Sequence, residues 1–266
     1  MNLAELQRNW DRFGNEDPLW AILTDPSKKG NKWDIDDFFK SGVEEIKGVM
    51  EYLEHLHLDV SRERALDFGC GVGRLTQALA DYFKAVVGVD IAPSMINHAR
   101  RFNRFGERCN YVVNQTDDLS IFKDETFSFV YSYIVLQHVE PKYALNYIGE
   151  FLRVLVPGGV VMFQLPSSWI DIDTEESSVS KITWRGTIRP FVPEIVVGSY
   201  RVLRRLLVRL NNTVPSAEDG PKMEMHVTPR QDVEQFVSNN GGRVLDVAQN
   251  QSAGSGWVSL QYLVTK

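Results

Sequence analysis

Between residues 64 and 165, short apolar runs alternate with stretches of helical periodicity. The runs are RALDF, AVVGVD, YVV, FSFVYSYIV and VVMFQL, and they read as buried strands. The helical patterns between them fall at 73–82, 94–105 and 141–155. Pro141 suits a first helical turn, and Gly158-Gly159 follow as a stop. Buried strands that alternate with helices predict βαβ units and a parallel sheet. Right-handed crossovers then put helices on both faces.

The flanks differ. Residues 1–60 read as mostly helical, with aromatic residues placed irregularly and a loop at 25–32, where Pro, Ser, Gly and Asn cluster. Val43, Ile46, Val49, Met50 and Leu53 repeat at helical spacing within 41–58. Residues 166–226 break the strand–helix rhythm and are too long for a simple loop, so they read as an inserted cap. The rhythm returns at Thr228-Pro229-Arg230-Gln231, a helix start with Thr as cap. Gly241-Gly242 stop that helix, and the runs 243–249 and 256–265 predict an antiparallel pair. The expected organisation is an N-terminal helical lid (1–60), a main domain (61–165 and 227–266) and the cap (166–226).

Composition narrows the class. The chain has 266 residues and a formal charge of −6, ordinary for a globular protein and against a general nucleic-acid binder. Two cysteines, Cys70 and Cys109, make neither a disulfide framework nor a cysteine zinc cluster. The polar start MNLAELQRNW lacks an apolar signal core, so the expected compartment is a reducing cytoplasm. No apolar run approaches the ~18 residues of a spanning helix. Metal-ligand spacing is lacking too: His55 and His57 do not stack on a helix, and the acids of 171–176 have no calcium-loop pattern.

The strongest signal is ALDFGCGVGRLTQALA at 65–80. A strand ends at Asp67, glycines follow at 69, 71 and 73, and a helix starts at once. Such glycines permit a tight turn and close backbone approach to a ligand. The dinucleotide fingerprint would place a glycine at 74, where Arg74 stands, which counts against a nucleotide-dependent oxidoreductase. Asp90 ends the next strand, and its two oxygens can accept from both hydroxyls of a ribose.

These features resemble the class I S-adenosylmethionine-dependent methyltransferases. The resemblance rests on D-x-G-x-G-x-G at 67–73, VVGVDIAPSMINHAR at 86–100, DETFSFVYSYIVLQHVE at 124–140 and LRVLVPGGVVMF at 152–163. It implies a doubly wound α/β fold with a mainly parallel seven-stranded sheet and an antiparallel last strand. It also implies S-adenosylmethionine as cofactor and S-adenosylhomocysteine as product. Asp67 and the loop of Gly69, Cys70, Gly71 and Gly73 would hold the methionine part. Asp90 would hold the ribose, Ile91 would pack on adenine, and Gln115, Thr116 and Asp117 would meet the adenine amino edge. Ser132 matches a position whose backbone faces the methionine end. Packing between the glycines accounts equally for Cys70.

The acceptor side is less specific. His138, in VLQHVE, follows the fourth strand and is a candidate base, or a histidine that supports the loop. His226 is a second candidate, or a packing residue. Both favour a hydroxyl acceptor on a small molecule or a glycan. N- or C-methylation, and a cofactor-binding module without catalysis, stay open. Arg201, Arg204, Arg205 and Arg209 share a face of 195–210. That stretch could cap an acceptor pocket, contact a membrane surface or lipid-linked acceptor, or bury a partner helix in a homo-oligomer. Trp184, Arg185, Arg189 and Phe191 read as an acceptor wall or an anchor for the cap. The N-terminal aromatics would close over the cofactor or form a satellite core.

Overall fold

A computed structural model describes residues 1–169 and 220–266. Seven strands form one sheet in the order β3-β2-β1-β4-β5-β7-β6. They are β1 (Arg64–Phe68), β2 (Ala85–Asp90), β3 (Cys109–Val113), β4 (Phe127–Ser132), β5 (Leu155–Trp169), β6 (Arg243–Asn250) and β7 (Trp257–Thr265). The first five pair in parallel, and β7 runs antiparallel between β5 and β6. The doubly wound expectation therefore holds. The strand order reverses beside β1, so the carboxyl ends of β1 and β4 open a crevice there.

Alternation along the strands explains the two layers. Leu66, Val130, Phe151 and Phe163 pack on one face, and Ala65, Phe129, Tyr131 and Met162 on the other. Helix α6 (Pro141–Val154) covers the first face; α3 (Ile35–His55) and α4 (Arg74–Leu79) cover the second. Between α3 and α4 lies a buried ion pair, with Arg74 Nη2 2.7 Å from Glu45, and Tyr131 donates to the same carboxylate.

The N-terminal arm comprises α1 (Leu3–Glu16) and α2 (Pro18–Ile22) ahead of α3. It is held at both sides. Asp11 accepts the Ser94 N–H at 2.8 Å, at the start of α5 (Pro93–Phe102). Asn9 exchanges two hydrogen bonds of 2.7 Å with the backbone of Lys222. Phe13 of the arm packs with Phe38 and Phe39 of α3 in a small core, and Val72 of the glycine loop is buried in it. Satellite core and cofactor loop are thus one packing unit.

Three local expectations need correction. Gly158-Gly159 do not merely stop a helix: β5 already begins at Leu155, and its pairing with β4 shifts register there. The strand also continues past residue 165, pairing with β7 as far as Trp169 opposite Trp257. Thr228 does not cap the last helix, α7 (Arg230–Asn239), whose N-cap is Pro229; its N–H is committed to the Pro166 carbonyl. The arginine face of 195–210, the 184–191 stretch and the acids of 171–176 lie outside the described residues. No helix among the described residues is long and apolar enough to cross a membrane.

Candidate active site

A cavity of about 330 Å³ opens at the carboxyl ends of β1, β2 and β4. Gly69, Gly71, Asp90 and Ile91 line one end. Gly69 and Gly71 have φ of +76° and +52°. A Cβ would lie 2.3 Å from Val135 at Gly69 and 2.5 Å from Ile22 at Gly71. Only glycine leaves this lining in place. Asp90 Oδ2 accepts the Gly71 N–H at 2.8 Å and Oδ1 accepts the Ala92 N–H at 2.9 Å. The carboxylate keeps lone pairs for ligand hydroxyls.

Asp67, Cys70, Gly73 and Ser132 stand behind this lining rather than in it. Asp67 is buried and accepts the Thr76 hydroxyl at 2.6 Å. Cys70 is a buried free thiol against the Gly88 backbone. Gln115, Thr116 and Asp117 are exposed and do not line the cavity; their neighbour Asn114 does. The Asn114 amide donates to the Thr116 and Asp118 carbonyls, and this turn sends the three intervening side chains outward. Sequence spacing locates the turn but not which of its residues points inward.

The other end is apolar. Leu3, Leu6 and Trp10 of the arm face Tyr133, Met223 and Met225 across the opening. Ser252 adds a hydroxyl, and its proton is committed to Asn250 Oδ1 at 2.7 Å. That oxygen is identified by the Ser252 backbone N–H, which it also accepts. His138 lines the cavity; Nδ1 is 2.7 Å from the Glu224 carbonyl, and the Trp10 ring lies 5.2 Å away. His226 does not line it. Met223 and Met225 alternate toward the cavity, while the His226 backbone donates to the Gln137 carbonyl at 2.7 Å. None of the arm or Met223–Met225 contacts is legible from local motifs, because each joins segments far apart in the chain.

The profile of the methyltransferase domain family matches residues 66–163. Ubiquinone biosynthesis O-methyltransferase of Xanthomonas oryzae pv. oryzae is 32% identical over 103 residues, 38% of this chain and 42% of that protein. Phosphoethanolamine N-methyltransferase 3 of Arabidopsis thaliana is 32% identical over 119 residues, 44% of this chain and 24% of that one. The chain thus spans less than half the length of these curated relatives. Magnesium protoporphyrin IX methyltransferase from Synechocystis PCC 6803, solved with bound SAH, shares the fold at a TM-score of 0.57. It is 14% identical, over 98% of this chain and 97% of that one. Residues 66–163 thus match a methyltransferase domain, and the sheet shares the fold of class I S-adenosylmethionine-dependent methyltransferases.

S-adenosylmethionine is accordingly the cofactor, and the glycine-lined end has the chemistry to fit it. Unusual proton affinities surround the cavity. Burial pushes the Asp67 carboxyl up to about 7, against the Thr76 hydroxyl bond, which lowers it. Burial also raises Asp90, against the N–H groups of Ala92 and Gly71. Burial lowers His138 to about 4, only partly opposed by its bond to Glu224. Its imidazole is therefore neutral at physiological pH.

Proposed function

We propose that this methyltransferase transfers a methyl group to a hydroxyl of a small, largely apolar acceptor. One observation carries the reading: a single cavity joins the glycine–Asp90 end to a chamber walled by Leu3, Leu6, Trp10, Met223 and Met225. Gly69 and Gly71 would admit the methionine part, Asp90 the ribose and Ile91 the adenine, with Asn114 in place of Gln115 at the turn. Asp67, Cys70, Gly73 and Ser132 would act from behind, shaping the loop. The cofactor supplies a sulfonium methyl, which the acceptor oxygen's lone pair takes while the carbon–sulfur electron pair stays on sulfur.

The chain's own work is orientation. Ser252 meets the acceptor as a hydrogen-bond acceptor, because its proton goes to Asn250. A second donor of the acceptor would bind there, which leaves the proton of the reacting hydroxyl for His138. His138 would be the base that receives the hydroxyl proton, on Nε2, with that hydroxyl taking the place of the Gln137 amide that faces Nε2 at 3.2 Å. His226 serves the backbone geometry of the 222–228 segment. The relatives name both O- and N-methyl acceptors, so the acceptor atom is the point to test. The apolar wall favours a phenol-like or lipid-linked hydroxyl over a free sugar.

The experiment is transfer of a tritiated methyl from S-adenosylmethionine to a panel of phenols, prenylated alcohols, sugars and primary amines. Labelled ether from the apolar hydroxyls supports the reading. Label found only on amines replaces it with N-methylation. Cofactor binding without label on any class would leave a binding module.

A further inference from the structure

The turn that leaves β4 holds a residue in a backbone conformation that its side chain disfavours. Ile134 has φ of +52°. The other non-glycine residues with positive φ among the described residues are Asn31, His57 and Glu125, all polar and exposed. Ile134 is apolar, branched at Cβ and half-buried. A branched side chain crowds its own backbone in the left-handed region, so such a residue persists only where its surroundings fix the chain.

The turn is fixed on both sides. Before it, β4 keeps register with β5 up to Ser132 opposite Phe163. After it, the Val135 methyls lie over Gly69, where an added Cβ would be 2.3 Å away, and the Val135 carbonyl accepts the His138 N–H at 3.0 Å. The reversal at Ile134 has a visible result. Tyr133, Ile134 and Val135 all line the cavity, whereas a continuing strand would turn successive residues to opposite faces.

Core packing does not offset the strain. Tyr133 packs against the core under α3 and α4, and Val135 against the core under α6. Ile134 belongs to neither, nor to the small core of the arm. Glycine or asparagine would hold the same turn with less strain. What the isoleucine side chain adds is therefore a contact with whatever fills the cavity.

We propose that Ile134 is a ligand-contacting residue of the methyl-transfer site, an apolar wall held beside the sulfur end of the adenosyl cofactor. Its neighbours carry the assignment. Val135 reaches the glycine-lined end through Gly69, and Tyr133 belongs to the acceptor end. Ile134 thus lies where the two ends meet, which is where a sulfur and an acceptor atom must come into line for transfer. A branched side chain at that point restricts the orientations open to the sulfur end and keeps water from it. The inference rests on the reading that one cavity joins both ends, and it does not depend on which acceptor atom is methylated.

The test compares wild type, Ile134→Asn and Ile134→Val, each as the full chain. Asparagine accepts the left-handed backbone and removes the apolar branch; valine keeps both the branch and the strain. The readouts are urea denaturation without ligand and calorimetric titration with S-adenosylmethionine. The asparagine variant is expected to unfold at a higher urea midpoint, by about 0.3 M, and to bind S-adenosylmethionine about five- to tenfold more weakly. The valine variant should keep the wild-type midpoint and an affinity within about threefold. A structural isoleucine cannot move stability and affinity in opposite directions, since its loss lowers both. A lower midpoint for the asparagine variant, or its failure to fold, overturns the proposal, and so does a higher midpoint with unchanged affinity. Neither readout uses an acceptor. Labelled methyl on amines alone would change the acceptor reading and leave Ile134 in place; equal affinities here would remove Ile134 and leave the acceptor reading untouched.

Discussion

Asp90 and Gly71 are joined by a 2.8 Å hydrogen bond from the glycine's N–H to the carboxylate, tying the end of β2 to the loop after β1. The bond crosses from one strand exit to the next at the cavity edge. Asp90 therefore shapes the loop as well as offering oxygens to a ligand. Asp90→Ala is expected to weaken S-adenosylmethionine binding by about 1–3 kcal/mol, the range for a lost charged hydrogen bond. Calorimetric titration checks this, and unchanged affinity would remove Asp90 from the ribose role.

Asp67 links the same site to pH. Its folded proton affinity is raised to about 7 by burial. The folded state then holds a proton that the unfolded chain releases at lower pH. Its contribution to stability is full in acid, below the ordinary carboxyl value. It is lost as pH rises through about 7. Asp67→Asn should remove that slope and make the ligand-free protein more stable than wild type at pH 8. Urea denaturation at pH 5, 6.5 and 8 reads it directly.

Trp10 covers the His138 ring from the arm, so removing it should act on stability and on the imidazole together. Trp10→Ala is expected to destabilise by about 2 kcal/mol, less than a fully buried tryptophan because the ring is half-buried. Water then reaches His138, and its midpoint should climb from about 4 toward the ordinary histidine value. A histidine titration unchanged from wild type would show that the ring does not provide the burial.

Ser252 separates acceptor binding from cofactor binding. Ser252→Ala should raise the acceptor KM about five- to tenfold, the size of one hydrogen bond, and leave the S-adenosylmethionine Kd unchanged. Steady-state kinetics with the acceptor found by the methyl-transfer panel measures both. A change in cofactor affinity alone would place Ser252 at the wrong end of the cavity.

Local chemistry made part of this site readable. The alternating glycines need no distant partner to be recognised, because positive φ and close approach are properties of the turn itself. The adenine-side turn shows the limit. Residues 114–117 were located, yet which one faces inward depends on the Asn114 amide bonding Thr116 and Asp118. His226 illustrates the same limit, since alternation along 223–226 sends the methionines into the cavity and the histidine backbone to Gln137.

By itself the chain's pattern determined the strand–helix alternation, the parallel sheet with its antiparallel end, and the cofactor loop. Each follows from periodicity or from backbone conformations that few residues adopt. Only the tertiary structure decided the acceptor side. The Nδ1 partner of His138 lies 86 positions away at Glu224, and Gln164 meets Ser259 across 95 positions. Burial of those groups sets the direction of every proton between them. Burial is a property of the assembled sheet, arm and return segment together, and no local stretch of sequence carries it.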